Sequence, residues 1–157
     1  MLTACAPYAP GSLVTAPGGA NYGNAFTAGC VDVAVNMACD GETHGGAVIA
    51  VVDVGNRCDH GAPLDFTALA VFDGAGPGAE PMVVFDPRAE ITAGRIAPHA
   101  HAQERIEFDP ITADLDPPGM VCVRARAMFD AGSREALCFA AASPGECPTR
   151  LARRAPW

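Results

Sequence analysis

Short segments in which apolar and polar residues alternate are the feature that most restricts the fold of this chain. Residues 31–38, 64–73 and 120–129 alternate in this way. A period of two is typical of a β-strand that buries one face. Residues 47–54 are almost entirely apolar, as in a central strand covered on both faces. Further strands are predicted at residues 82–86, 104–109 and 136–142, with a short edge strand near residues 90–92.

The turn-forming residues support the same fold class. The 157 residues include 17 Gly and 14 Pro, which suits many short strands joined by turns better than a helical bundle. We therefore predict an all-β protein, an immunoglobulin-like antiparallel β-sandwich of about seven strands, with a jelly roll or small barrel as alternatives. The predicted division is an N-terminus and flexible linker at 1–24, the sandwich at 25–142, and a C-terminal tail at 143–157 held by Cys147.

Seven cysteines are spread widely along the chain and form no C-x-x-C pair. This spacing disfavours zinc ribbons and thioredoxin-type redox motifs, and it favours disulfides in an oxidising compartment. We expect six of them to form three disulfides: Cys30, Cys39, Cys58, Cys122, Cys138 and Cys147. If residues 31–38 and 47–54 pair antiparallel, Cys30 lies near Cys58. A hairpin of 120–129 with 136–142 would bring Cys147 near Cys122, leaving Cys39 for Cys138.

The seventh cysteine follows a short motif. Leu2-Thr3-Ala4-Cys5 resembles the lipobox of bacterial lipoproteins, an aliphatic residue and two small residues before a cysteine. The resemblance implies a charged and apolar signal segment upstream of Met1, cleavage before Cys5, and a lipid on Cys5. It also implies that the protein contacts the membrane only through this lipid anchor. The implied location is the periplasm, the outer membrane or the cell surface. The lack of Lys beside abundant Ala, Gly, Pro and Arg is typical of a GC-rich bacterial genome.

The histidines offer one candidate metal site. In His99-Ala100-His101, a strand would place both imidazoles on one face, where they could share a copper or zinc ion. The other histidines, His44 and His60, lie in Gly-rich turns. A third ligand at defined spacing is missing, and two exposed loop histidines are the simpler interpretation. We predict no resident cofactor.

The net charge of the chain argues against two kinds of anionic partner. The formal net charge of −8 argues against nucleic acid and anionic membrane surfaces, which require clustered positive charge. The only basic cluster, at Arg150, Arg153 and Arg154, is too small to reverse this. Arg124 and Arg126 are expected to form cross-strand ion pairs with acidic strand residues such as Glu107.

No motif supports catalysis: the Gly-x-Ser-x-Gly elbow is absent, and the serines lie in linker or turn contexts. We therefore predict a non-enzymatic exported envelope or surface protein that binds a protein partner or builds a larger assembly. The alternatives are a periplasmic copper or zinc protein and a carbohydrate-binding sandwich. The last is disfavoured because the Tyr and Trp residues that stack on sugars, Tyr8, Tyr22 and Trp157, lie near the termini.

Overall fold

The alternating segments form the strands of two facing sheets in the computed structural model of the protein, which describes residues 6–40, 47–74, 79–83, 93–108 and 119–156. The strands in this part of the chain are β1 (Ala6–Pro7), β2 (Ala25–Ala28), β3 (Val31–Cys39), β4 (Val48–Asn56), β5 (Ala62–Asp65), β6 (Val71–Asp73), β7 (Glu80–Pro81), β8 (Ala93–Ile96), β9 (Ala100–Phe108), β10 (Met120–Val123), β11 (Glu135–Ala140) and β12 (Arg150–Pro156). Two short 3-10 helices span Phe66–Ala68 and Ala125–Met128.

The strand orders define a sandwich-like architecture. One sheet has the order β1-β9-β4-β3-β2 and the other β12-β11-β10-β6-β7, while β5 and β8 form a separate pair. Every strand pairing within the described residues is antiparallel. The inward residues of both sheets share one apolar core, from Val33 and Val52 on one side to Val121 and Phe139 on the other. The predicted all-β class is thus confirmed, while the immunoglobulin-like topology stays a prediction.

Two predicted strands are interrupted. Residues 64–73 leave the ladder at Phe66, because the Asp65 carboxylate accepts the Thr67 amide hydrogen and begins a 3-10 turn. Residues 120–129 end as a strand at Val123 and continue as the second 3-10 helix. The prediction of 82–86 is wrong for Met82 and Val83, which are not in a strand. Residues 84–86 and the predicted edge strand near 90–92 lie outside the described residues.

Three disulfides join the strands. Cys30 binds Cys58 across the β3–β4 hairpin, as the antiparallel pairing predicted. The other two predicted pairings are wrong: Cys122 bonds to Cys138, directly opposite in the β10–β11 ladder, and Cys39 bonds to Cys147. The last bond links the end of β3 in one sheet to the segment before β12 in the other.

Residues 143–157 were expected to be a tail held by Cys147, and Cys147 does hold them. Within them, however, Arg150–Pro156 forms β12 and pairs with β11 along its full length. The register shifts between Cys138 and Phe139, which leaves Ala152 as the extra residue of a β-bulge. β12 is therefore a strand of the second sheet that the sequence did not predict.

The described part of the predicted linker contacts the sheet. Ala6 and Pro7 pair with β9, and the Tyr8 backbone amide donates to the His99 carbonyl oxygen at 2.8 Å. The Tyr8 side chain is only 7% exposed, and its hydroxyl donates to the Asp32 carboxylate at 2.7 Å. A Cβ at Gly55 would overlap the Tyr8 ring, so a glycine in this strand leaves the space that the ring fills. The prediction of a flexible linker at residues 1–24 is wrong for these three residues, Ala6, Pro7 and Tyr8.

The contact of Tyr8 with Asp32 predicts a change in stability at alkaline pH. Burial disfavours the phenolate and the hydrogen bond to Asp32 holds the proton, so the pKa of Tyr8 is raised above 10.0. The folded chain therefore binds the Tyr8 proton more tightly than the unfolded chain does. The resulting contribution to stability is complete below pH 10.0 and is lost as the pH rises through the folded-state pKa.

We expect Tyr8→Phe to lower the free energy of unfolding by about 1 kcal/mol at neutral pH. The variant should also show a smaller decrease in stability above pH 10.0 than the unmodified chain. Urea unfolding at several pH values measures both effects, and no lysine is present to titrate in the same range. An identical alkaline decrease in both proteins would show that Tyr8 is not the titrating group.

Candidate functional site

The two histidines of the predicted metal site each contact a different carboxylate. His99 lies in the turn before β9 with φ at 55°, and its Nε2 is 3.1 Å from Asp59 Oδ1. His101 lies on β9, and its Nε2 is 3.0 Å from Asp53 Oδ1, which also accepts from Gln103. Within the described residues, no group of three His, Cys, Asp or Glu donors within 4.8 Å includes either histidine. The shared copper or zinc site stays a prediction.

A different group of donors does lie together, namely Cys30, Cys58 and His60. The buried Asn56 side chain organises this loop, since it donates to the His60 carbonyl oxygen and accepts from the Cys58 amide. The two sulfur atoms are bonded to each other, however, and a metal binds thiolate rather than disulfide sulfur. Of the three donors, this leaves only the His60 imidazole as a possible metal ligand. His44 lies outside the described residues.

An apolar pocket of about 360 Å³ adjoins this disulfide. Its walls come from the β2–β3 turn, β5 and the second 3-10 helix, and they include Cys58, His60, Leu64, Met128 and Phe129. The pocket has room for a small apolar group, and its lining also includes the polar residues His60 and Asp65.

A second pocket, of about 470 Å³, is built around paired charges. Glu135 at the start of β11 accepts from Arg126 Nε at 3.1 Å and from Arg154 Nε at 2.8 Å. Two guanidinium groups thus share one carboxylate and leave one positive charge in excess. The Arg126 guanidinium also lies over the Phe26 ring, 4.5 Å from its centroid. Arg126 was expected to pair with a residue such as Glu107, and its partner is Glu135 instead.

The same two arginines reach across the sandwich to the opposite sheet. Arg154 donates to the Ala25 carbonyl oxygen at 3.0 Å, and Arg126 donates to the Thr27 carbonyl oxygen at 3.2 Å. Both acceptors belong to β2, the edge strand of the first sheet. Arg124, the other arginine expected in an ion pair with an acid such as Glu107, stacks on the Phe72 ring at 4.7 Å.

β12 extends this charged region along the edge of the second sheet. Arg150, Arg153 and Arg154 all lie on this strand and are exposed. We refer to β12 together with Arg126 as the basic edge. Residues 119–157 contain six of the ten arginines and three of the eighteen acidic residues, so this part of an acidic chain carries a surplus of positive charge. The sequence showed the three terminal arginines, but not the strand that aligns them.

The aromatic residues give little support to sugar binding. Tyr8 is buried against Asp32, so its ring is not available for stacking. Tyr22 is 39% exposed, and Trp157 lies outside the described residues.

Comparisons with protein-family models, with curated proteins and with solved structures found no match. The fold and the site therefore define this chain by class, as an all-β, sandwich-like, disulfide-bonded protein. Its three disulfides are consistent with an exported protein in an oxidising compartment. The described residues contain no helix with the length and hydrophobicity that a membrane crossing requires.

Proposed function

We propose that this protein is a non-enzymatic module of the bacterial cell envelope that is anchored by a lipid on Cys5 and binds a protein partner through its basic edge. The observation that carries the proposal is the alignment of Arg150, Arg153 and Arg154 on one edge strand of an acidic domain. Complementary charge steers partners together and sets the orientation of binding. The disulfides support an exported location.

The N-terminal contacts add support for a tethered domain. Ala6, which directly follows Cys5, pairs with His101 on β9. A lipid on Cys5 would therefore hold the folded domain close to the membrane, with β9 and β1 nearest to the bilayer. A rigid attachment of this kind suits a protein that presents one surface in a fixed orientation.

Mass spectrometry of the protein, expressed in a bacterium with its full upstream region, tests the anchor. We expect the chain to begin at Cys5 and to carry the added mass of a diacylglycerol group, with fractionation into the membrane. Cys5→Ala is the control and should leave the chain in the soluble fraction. An unmodified N-terminus with a free Cys5 thiol would contradict the proposed anchor.

A further inference from the structure

The four edge strands of the two main sheets differ in how they are protected. β1 and β7 have two residues each, and each contains a proline, Pro7 or Pro81, which cannot donate a backbone hydrogen bond. On β2, the carbonyl groups of Ala25 and Thr27 already accept from Arg154 and Arg126. Three of the four edges are therefore short or occupied, which is how soluble proteins prevent unwanted strand pairing.

β12 is the exception. It has seven residues, and Arg150, Ala152, Arg153 and Arg154 are all exposed. One side of β12 pairs with β11. Outside the sheet ladders, the described part of the chain shows no backbone–backbone hydrogen bond to residues 150–152 or 154–156. A long edge with open amide and carbonyl groups is a template for adding another strand.

We propose that the outer edge of β12 binds an extended, acidic segment of a partner protein, which adds to the second sheet as a further strand. This inference rests on the proposed function and specifies the partner that the basic edge recognises. Main-chain hydrogen bonds to β12 supply the affinity, and carboxylates of the added strand lie opposite the arginines.

The charges favour an acidic partner over a second copy of this chain. If two β12 strands paired, the arginines of one copy would lie against those of the other, and like charges on opposing strands destabilise the pair. A strand rich in Glu or Asp removes this repulsion. Close to β12, the surplus positive charge of residues 119–157 would also attract such a segment, although the chain as a whole is acidic.

The position of β12 suits a domain that is attached at its N-terminus. β1 and β2 are the opposite edges of the first sheet, and Arg154 places β12 beside β2. Four strand spacings of about 4.8 Å separate β1 from β2, or roughly 19 Å in total. An anchor just before β1 therefore leaves β12 on the side of the sandwich that faces away from the membrane.

The test uses the full chain and three synthetic eight-residue peptides with blocked ends: alternating Glu and Val, alternating Glu and Pro, and alternating Lys and Val. The Glu-Pro peptide has the charge of the Glu-Val peptide but cannot pair as a strand. We expect the Glu-Val peptide to bind at least tenfold more tightly than either of the others. The measurement is fluorescence anisotropy at about 0.15 M ionic strength, where a Debye length of about 8 Å screens the acidic remainder of the chain. In hydrogen exchange, it should protect amides within residues 150–156 and leave those of β2 and β7 unchanged.

Charge-reversal variants locate the binding surface. Arg150→Glu with Arg153→Glu should weaken binding of the Glu-Val peptide at least tenfold. Arg95→Glu with Arg105→Glu makes the same change in net charge at exposed positions on β8 and β9 and should change the affinity less than twofold. Circular dichroism verifies that both variants are folded.

Equal binding of the two acidic peptides would show attraction by charge alone and would overturn strand addition. Binding of the Lys-Val peptide as tightly as the Glu-Val peptide, failure of the Glu-Val peptide to bind, or protection confined to another strand would also overturn the inference. A dimer in sedimentation analysis, with protection at residues 150–156, would instead assign the edge to a second copy. None of these results affects the lipid on Cys5, so the proposed anchor is tested separately.

Discussion

A chain in which Cys39 and Cys147 are both replaced by alanine is expected to lose about 4.8 kcal/mol of unfolding free energy. This disulfide closes a segment of 108 residues, the longest of the three, and bonds that close longer loops restrict the unfolded chain more. It also joins the end of β3 to the segment that precedes β12. Urea unfolding of the unmodified and the double-alanine chains measures the loss.

The Cys30→Ala, Cys58→Ala chain is the matched control, because its disulfide spans only 28 residues. Its expected loss is about 3.5 kcal/mol. Hydrogen exchange distinguishes the two double-alanine variants better than their unfolding free energies do. Amide exchange within residues 150–156 should accelerate when Cys147 is released, and it should not do so when Cys30 and Cys58 are replaced. Unchanged exchange of β12, or a stability loss below about 1 kcal/mol, would contradict the role assigned to this bond.

The pairing of the cysteines shows where sequence reasoning about this fold succeeds and where it fails. Cys30 and Cys58 flank a hairpin of two long valine-rich strands, so their proximity follows from the antiparallel pairing of two strands that are consecutive in the chain. Cys122 and Cys138 were mispaired because the apolar alternation continues past Val123 into a 3-10 helix, where Ala125, Ala127 and Met128 are also buried. The ladder therefore ends earlier than the pattern indicates, and Cys122 falls opposite Cys138.

β12 was missed for a different physical reason. An edge strand contacts the core with few residues, here Leu151, so it needs no apolar alternation. Its arginines instead satisfy groups that are distant in sequence, such as Glu135 and the Ala25 carbonyl oxygen. The sequence shows that the arginines are clustered, but only the fold shows which acceptors they reach and that the strand is an open edge.

The N-terminal segment was misjudged for a related reason. A single aromatic residue in a Pro- and Gly-rich stretch gives no periodic signal, and the alternation of β3 places Asp32 on its polar face. In the structure this face is covered at Asp32 and Ala34 but not at Asn36, and Asp32 is 1% exposed. The contact between Tyr8 and Asp32, which are 24 positions apart, explains both the ordered N-terminal segment and the burial of Asp32.

Replacing Asp32 with alanine is expected to destabilise the protein by about 3 kcal/mol. The carboxylate accepts from the Tyr8 hydroxyl at 2.7 Å, from Thr27 Oγ1 at 3.0 Å and from Arg57 Nε at 3.1 Å. Without it, these three donors lose their acceptor, and of the three only the Tyr8 hydroxyl is buried while Thr27 is exposed. Since Arg57 is about one-third exposed, water can hydrate its guanidinium, which places the loss at the low end for a broken buried ion pair.

The effect should be concentrated in the N-terminal segment. We expect amides of residues 8–15 to exchange faster in Asp32→Ala, because the Asp32 carboxylate holds Tyr8 and accepts weakly from the Gly11 amide at 3.4 Å. The β10 and β11 amides should change only as far as global stability does. Asp59→Asn, at a side chain that is 97% exposed, is the control and should change the unfolding free energy by less than about 0.5 kcal/mol.

Denaturant titration and hydrogen exchange of the same samples separate the local from the global effect. If Asp32→Ala and Asp59→Asn unfold at the same urea concentration, Asp32 does not stabilise the fold. If Asp32→Ala loses stability while residues 8–15 keep their protection, Tyr8 is held by its backbone pairing to β9 and by ring packing on Gly55 rather than by the carboxylate. In that case Gly55→Ala, which removes the space for the ring, should release the segment where Asp32→Ala does not.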